Sequence, residues 1–315
     1  LSHDQELKQH LEKFSPDVIF VPTGRFFSFN EIPVVNMIRN MEPLVCPNEG
    51  NPVSEILRNW LRAREAQKAA SKADRVIAVS KFVKDFLIKR WGIPGARIGM
   101  VYHGIDVPKK NDGVKPSSIP KSWKGRFLFT AGSIRPARGL EDILLAMEYM
   151  MSHNTDMPVI VIAGEPSSNM ITYQRKLYEW LEKRDLSSKV YWAGNLKEDE
   201  MAWCYQNCRA FVMTSRVESF GQVALEAMSY GCICVAADNP CLPEIFGDVA
   251  LFYPPRDGRA LAEMIQTVLT WDDNQRKIIS KKVKKRAAEF SWDVCAEKTV
   301  AVLAEVAKSR QSRKL

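Results

Sequence analysis

RAFVMTSRVESFGQVALEAMSYGCICVAA, residues 209–237, reads as a strand, a polar turn, a helix and a second strand. Its two ends, RAFVMT (209–214) and CICVAA (232–237), are short continuous apolar runs. Such runs belong to strands covered on both faces. Between them Gly221 precedes a helical stretch carrying Val223, Ala224, Leu225 and Ala227. Two strands joined through a helix form a parallel crossover, the unit of α/β folds.

The same alternation extends in both directions. Toward the amino terminus, DVIFVP (17–22), IPVVNMI (32–38), DRVIAVS (74–80) and RIGMVY (97–102) read as strands. Val53, Ile56, Leu57, Trp60 and Leu61 recur at helical spacing and predict a helix with one buried stripe. Phe82, Val83, Phe86 and Leu87 predict a shorter one. VPKKNDGVKPSSIPKSW (107–123) is rich in Pro, Lys, Ser and Gly, has no periodicity, and reads as a linker. After it come RFLFTAG (126–132), PVIVIAG (158–164), KVYWAG (189–194), the two strands quoted first, and VALFY (249–253). The expectation is an α/β protein of two Rossmann-like, doubly wound domains. The first spans 1–106, the linker 107–123 and the second 124–290, and a final helix in 291–315 packs back on the first domain. Ligands of such folds bind at the carboxyl ends of the strands. There is no internal repeat.

A chain of 315 residues has room for two domains, and 46% hydrophobic with 26% charged residues is an ordinary globular composition. That composition excludes wholesale disorder. The apolar runs are strand-length, far below the roughly 20 residues of a membrane helix. Residues 1–14 read as a polar amphipathic helix, not a signal peptide. The first residue is Leu, and the first domain shows about four strands where a full doubly wound half has about six. Both suggest a first domain incomplete at its amino terminus. The net charge of +8 is uneven. Residues 55–90 hold ten Lys/Arg against four Asp/Glu, and residues 276–315 twelve against four. Two readings stand for these segments: solvated helix faces, as for KKVKKR (281–286), or surfaces for phosphates and anionic lipid. They lack interleaved aromatics and a recognition motif, which argues against nucleic acid. The seven cysteines, an odd count with no CxxC, argue against a metal site. With no secretory signal they read as buried reduced thiols of a cytoplasmic protein.

Chemistry concentrates at SRVESFGQVALEAMSYG (215–231). A helix that starts after Gly221 offers unpaired N–H groups and a positive dipole end to a phosphate. Glu218 and Glu226 bracket that start. Helical spacing would separate them by about 12 Å, the scale of the two ends of a nucleotide-sugar. The bland alternative is that Glu218 caps the helix.

These residues resemble the donor-site signature of the retaining family-four glycosyltransferases of the GT-B fold. The hallmark is a Glu, seven residues and a second Glu, matched by Glu218 and Glu226. Phe220-Gly221, Glu226-Ala227, Gly231 and the LPE of 242–244 match as well. VSKFVKDFL (79–87), YHGID (102–106), AGSIRPARGLEDILLA (131–146), IAGE (162–165) and FSW (290–292) follow in family order. The resemblance covers most of residues 15–305. It implies that Glu218 lies by the donor sugar hydroxyls and Glu226 holds the ribose. The backbone of Ser219, Phe220, Gly221, Gln222 and Val223 would cradle the diphosphate. Asn195, in the loop Ala193–Leu196, sits where the base is received. Gly132 and Gly164 end strands at the cleft, or simply end strands. The family pattern has Arg after the first of these glycines, where Ser133 stands, and Lys where Arg138 stands. Arg138 retains the charge and donates bidentately. Arg135 either replaces the missing charge or is a solvated loop residue. Arg39-Asn40 replaces a His-Asp pair, so Arg39 faces the departing phosphate, an acidic acceptor, or a structural partner. His103 reads as structural.

The activity implied is transfer of a sugar from a UDP- or GDP-sugar to a hydroxyl with retained configuration, and Glu218 and Arg138 are the expected catalytic pair. No cofactor or metal is expected, since no DxD pair is present. Polysaccharide or glycolipid synthesis is the expected setting, with a carbohydrate or lipid-linked acceptor and peripheral contact with the inner face of a membrane. Two alternatives remain open: an epimerase or phosphorylase on the same fold, and a non-catalytic sugar-nucleotide-binding subunit.

Overall fold

Parallel pairing builds two separate sheets. The computed structural model describes residues 3–46, 48, 50–106 and 113–314. Helix α1 (His3–Phe14) precedes the first sheet, whose strands β1 (Ile19–Val21), β2 (Val34–Ile38), β3 (Arg75–Ala78) and β4 (Ile98–Met100) lie side by side in chain order. Helices α2 (Glu42–Val45) and α3 (Val53–Lys72) connect β2 to β3, and α4 (Lys81–Trp91) connects β3 to β4. β2 is buried along its whole length, as its uninterrupted apolar run requires, whereas the edge strand β1 is half-buried.

The second sheet holds β5 (Phe127–Ala131), β6 (Val159–Ala163), β7 (Val190–Gly194), β8 (Ala210–Met213), β9 (Cys234–Ala237) and β10 (Ala250–Tyr253). The helices between them are α5 (Leu140–Ser152), α6 (Ile171–Glu182), α7 (Glu198–Asn207), α8 (Gln222–Ser229) and α9 (Leu242–Phe246), and α10 (Gly258–Thr270) and α11 (Asp273–Ala287) follow. The spatial order β10-β9-β8-β5-β6-β7 is the doubly wound order 3-2-1-4-5-6 read from its other edge. The chain therefore reverses its direction of winding between β5 and β8, which pair through Leu128↔Ala210 and Phe129↔Phe211. The last helix, α12 (Trp292–Lys314), lies against the first sheet, where Val302 packs over Gly99 and Glu305 pairs with Arg75.

Residues 107–112 of the expected linker lie outside the described residues. Its remainder is not a loose tether. Ile119 is fully buried, Val114 donates its N–H to Asp199 O (3.0 Å), and Trp123 meets Tyr191 edge-on.

The expected buried stripe of α3 faces solvent instead. Val53, Leu57, Trp60 and Leu61 are 83%, 58%, 49% and 54% exposed. The buried positions are Glu55, Asn59, Ala66, Ala69 and Ala70. The alanines let the helix lie close to the sheet, so close that a Cβ on Gly24 would stand 3.0 Å from that of Ala66. Glu55 tolerates burial because Arg62 (2.7 Å) and Asn169 of the second domain (2.8 Å) donate to its two oxygens. Small residues and paired polar groups thus define the inner face, and neither produces the large-apolar periodicity that sequence patterning detects.

The domains meet at an aromatic junction. Phe220 is 2% exposed and packs on Tyr102 (6.0 Å between centroids), His103 (5.2 Å) and Phe290 (5.7 Å), and Trp292 covers His103. The Ile105 N–H donates to Phe290 O (3.2 Å), and a Cβ on Gly104 would collide with the Trp292 backbone. Removing a fully buried ring from such a site costs about 3–5 kcal/mol. Phe220→Ala is therefore expected to lower the unfolding free energy by that order in urea titrations followed by tryptophan fluorescence. Phe220→Leu should recover most of the loss.

Candidate active site

Where winding reverses, the loops leaving β5 and β8 turn to opposite faces of the sheet and open a crevice at their carboxyl ends. Three strands end there in glycine. Gly132 follows β5 with φ +132°, Gly164 follows β6 with φ +123°, and Gly194 closes β7 with φ +65°. Their backbones are stacked: Gly132 N donates to Ala163 O (3.0 Å) and Gly164 N to Gly194 O (2.7 Å). A Cβ on Gly164 would strike the Gly132 carbonyl, so this glycine is demanded by close backbone approach. Gly132 has a different neighbour. A Cβ there would lie 2.8 Å from Cζ and Nε of Arg138, so the missing side chain leaves room for the guanidinium.

The loop after β8 is anchored from beneath. Thr214 Oγ1 donates to Arg138 O (2.7 Å) and Arg216 N to Ala137 O (2.8 Å), so the two loops at the switch point are stitched together. The Arg216 guanidinium grips Asp142 of α5 with two bonds of 2.7 Å. Asp142 is fully buried and also accepts from Tyr253 Oη (2.9 Å) and Arg256 N (3.0 Å). Burial and the Asp142 carboxylate push the Tyr253 phenol up. Sequence reasoning missed this network. The only trace is an acid in the first turn of α5, which any helix start favours.

Above that anchor, Arg138 Nη1 donates to Glu218 Oε1 (2.6 Å) and Ser215 Oγ (3.2 Å). The expected pair is thus in contact. One edge of the guanidinium is engaged, and Nε and Nη2 have no partner among the described residues. Ser133 is exposed beside them. Arg135 does not join the group, because its guanidinium pairs with Glu42 of α2.

Glu226 lies in α8, whose N-cap is Gly221 at φ +87°. Tyr205 Oη donates to Glu226 Oε2 (3.2 Å). Burial raises the Glu226 carboxyl above its ordinary range, and the Tyr205 bond opposes that rise. Asn195 Nδ2 donates to Glu165 (2.9 Å), which joins the loops after β6 and β7.

The remaining motif residues face the first domain. Ser219 Oγ donates to Arg39 O (2.7 Å), Ser80 Oγ to Ser219 O (2.7 Å), and Gln222 Nε2 to Gly104 O (3.1 Å). Glu244 accepts from Lys81 N (2.6 Å) and Phe82 N (3.2 Å), capping α4 from across the cleft. The Phe220 side chain belongs to the aromatic junction, and so does His103, whose pKa is lowered by burial and by the Arg39 charge. Val223 is half-buried in the first turn of α8. The crevice therefore presents a cationic fork, a carboxylate beside it, a half-buried carboxyl and a helix start, all on one wall.

The chain as a whole has relatives among known proteins. The family model of glycosyl transferases group 1 matches residues 115–286, and that of glycosyltransferase family 4 matches residues 1–109. The O-antigen chain mannosyltransferase B of Escherichia coli is 24% identical over 243 residues, 75% of this chain and 62% of that protein. A D-inositol 3-phosphate glycosyltransferase of Corynebacterium urealyticum is 29% identical over 216 residues, 65% of this chain and 50% of its own length. The chain thus spans roughly half to three-fifths of these curated relatives. Among solved structures, Anabaena HepE in complex with UDP-glucose superposes with a TM-score of 0.70 at 18% identity, covering 98% of this chain and 81% of that one. The sucrose-phosphate synthase of Thermosynechococcus elongatus gives 0.74 at 18% identity, covering 96% and 77%.

The raised Glu226 carboxyl has a pH signature. An acid whose folded pKa exceeds its unfolded value costs stability as pH rises from the unfolded to the folded value. Glu226→Gln removes that cost. Its unfolding free energy relative to the parent is expected to climb through the upper carboxylate range and to level off at neutral pH. A difference independent of pH would contradict the assigned burial.

Proposed function

The chain belongs to the group 1 glycosyltransferases, a family of the GT-B fold, and on that premise we propose that it moves a sugar from a nucleoside-diphosphate sugar to a hydroxyl acceptor with retained anomeric configuration. The observation that carries the proposal is the Arg138–Glu218 pair at the switch point of the second sheet. A departing diphosphate needs fixed positive charge, and the free edge of Arg138 supplies two N–H groups in a planar fork. Glu218 at its side accepts hydrogen bonds from the sugar hydroxyls. Glu226 takes the two ribose hydroxyls, the N–H groups around Gly221 and Gln222 add the helix-start dipole, and Asn195 borders the base.

Retention in a single displacement places the arriving and departing oxygens on one face of the sugar. The bond from C1 to the phosphate oxygen breaks as that from C1 to the acceptor oxygen forms. The hydroxyl proton passes to the departing phosphate oxygen. Arg138 and the helix start carry the charge of the leaving group, so the reaction is expected to proceed without a metal. UDP and GDP donors both fit this wall, and UDP-glucose in the HepE complex favours a uridine donor. Polysaccharide or glycolipid assembly fits the mannosyltransferase relative.

Donor binding tests the reading. Each charge-assisted hydrogen bond is worth about 1.5–3 kcal/mol, so Arg138→Ala and Glu226→Ala should each weaken UDP or GDP binding roughly 10- to 100-fold in calorimetric titration. Full affinity in Glu226→Ala would remove it from the ribose site.

Contact with a membrane surface is part of the same proposal. No helix among the described residues is long and apolar enough to cross a membrane. The exposed stripe of α3 continues into Arg64, Lys68 and Lys72, and Arg64 stacks on Trp60 at 4.2 Å. An apolar and cationic face of this kind suits the interface of an anionic bilayer. Phosphatidylglycerol vesicles should retain the protein at low salt and release it as salt rises, and Leu57→Ser with Trp60→Ser should abolish retention.

A further inference from the structure

The donor reading uses the second domain's wall of the crevice and leaves the first domain's wall without an occupant. A cavity of about 280 Å³ opens there at the carboxyl ends of β1 and β2, between those strands and α3. Arg25, Arg39 and Arg62 contribute to its lining, against a single carboxylate, Glu65. Arg62 is already committed, donating to Glu55 (2.7 Å) and Asn59 (3.1 Å). Arg25 and Arg39 are not. Each is exposed, and among the described residues no hydrogen bond or ion pair engages either guanidinium; only their backbone carbonyls are used, by Asn36 and Ser219.

The cavity adjoins the proposed reaction centre. Arg39 follows the last residue of β2, and its carbonyl accepts from the hydroxyl of Ser219, the residue after Glu218. The charge of Arg39 also reaches inward, helping to hold His103 below its usual pKa. The volume lies at the lower end of ligand pockets, enough for one small polar fragment and far too little for an oligosaccharide. Two uncommitted guanidiniums around such a space match one tetrahedral oxyanion, which they can engage with parallel N–H pairs.

We propose that this cavity receives a phosphate group of the acceptor, held by Arg25 and Arg39, so that the hydroxyl to be glycosylated is presented to the donor over Ser219. The proposal rests on the donor reading above for the direction of transfer, but phosphate binding itself does not depend on it. It assigns the two arginines to acceptor recognition and leaves the leaving diphosphate to Arg138. The phosphate is borne either on a soluble alcohol or on a lipid, and the chemistry of capture is the same.

Inorganic phosphate and glycerol 1-phosphate serve as soluble probes, and phosphatidic acid vesicles as the lipid probe, each with and without saturating UDP or GDP. Phosphate should bind in the presence of the nucleotide, more weakly as salt rises. Arg25→Ala and Arg39→Ala should each reduce that affinity about tenfold, as expected for loss of a charge-assisted contact. Arg39→Lys should recover part of it, and neither alanine variant should change nucleotide affinity. The vesicle arms use the Leu57→Ser, Trp60→Ser background, which removes the α3 contact. There, competition by glycerol 1-phosphate without recruitment to vesicles assigns a soluble acceptor. Recruitment to phosphatidic acid, but not to phosphatidylglycerol, that is lost in Arg25→Ala assigns a lipid one. The proposal is overturned if phosphate binding survives both alanine variants, or if Arg39→Ala weakens nucleotide binding as Arg138→Ala does. Failure of the donor reading looks different: no nucleotide binds, while phosphate still depends on Arg25 and Arg39.

Discussion

Everything at the crevice rests on one buried carboxylate. Asp142 has no exposed surface, yet it receives the forked guanidinium of Arg216, the hydroxyl of Tyr253 and the N–H of Arg256. Four donors and a helix start offset its desolvation, which an unpaired carboxylate could not survive. In return it ties together three stretches that lie far apart in the chain: the start of α5, the loop after β8 and the turn from β10 into α10. Glu218 stands two residues beyond Arg216, and Arg138 ends the turn that precedes α5. Their contact is set from below by a group that touches neither.

Legibility in the sequence followed physical range. Alternating apolar runs announced both parallel sheets, because strands buried on both faces must be apolar throughout. The Glu218–Glu226 segment was legible because strand, turn and helix are consecutive there. What could not be read were the long-range partners. Arg216 and Asp142 are 74 residues apart, and Arg135 and Glu42 are 93 apart. Arg135 shows the consequence: local sequence places it next to the donor loop, but the first domain supplies a carboxylate that claims it. Helix α3 shows a second limit. Periodicity finds the face with large apolar residues, whereas here alanines and a satisfied Glu55 mark the inner face.

The two walls of the crevice differ in electrostatic character. On the second domain the functional cations come paired, Arg138 with Glu218 and Arg216 with Asp142. On the first domain the guanidiniums of Arg25 and Arg39 have no bonded partner among the described residues, and Glu65 is the one carboxylate lining their cavity. Contacts between the walls run through the hydroxyls of Ser80 and Ser219 and through carboxylates, Glu244 capping α4 and Glu42 pairing with Arg135.

The aromatic junction also governs how the domains can move. The chain passes from the first domain to the second near Gly104 and returns near Ser291, and the two passages touch backbone to backbone. Both covalent crossings thus sit at one packed point, and a rotation of the domains that spares Phe220 is one that pivots there. Such a pivot has to release the remaining contacts between the domains, among them Arg135 with Glu42 and Asn169 with Glu55.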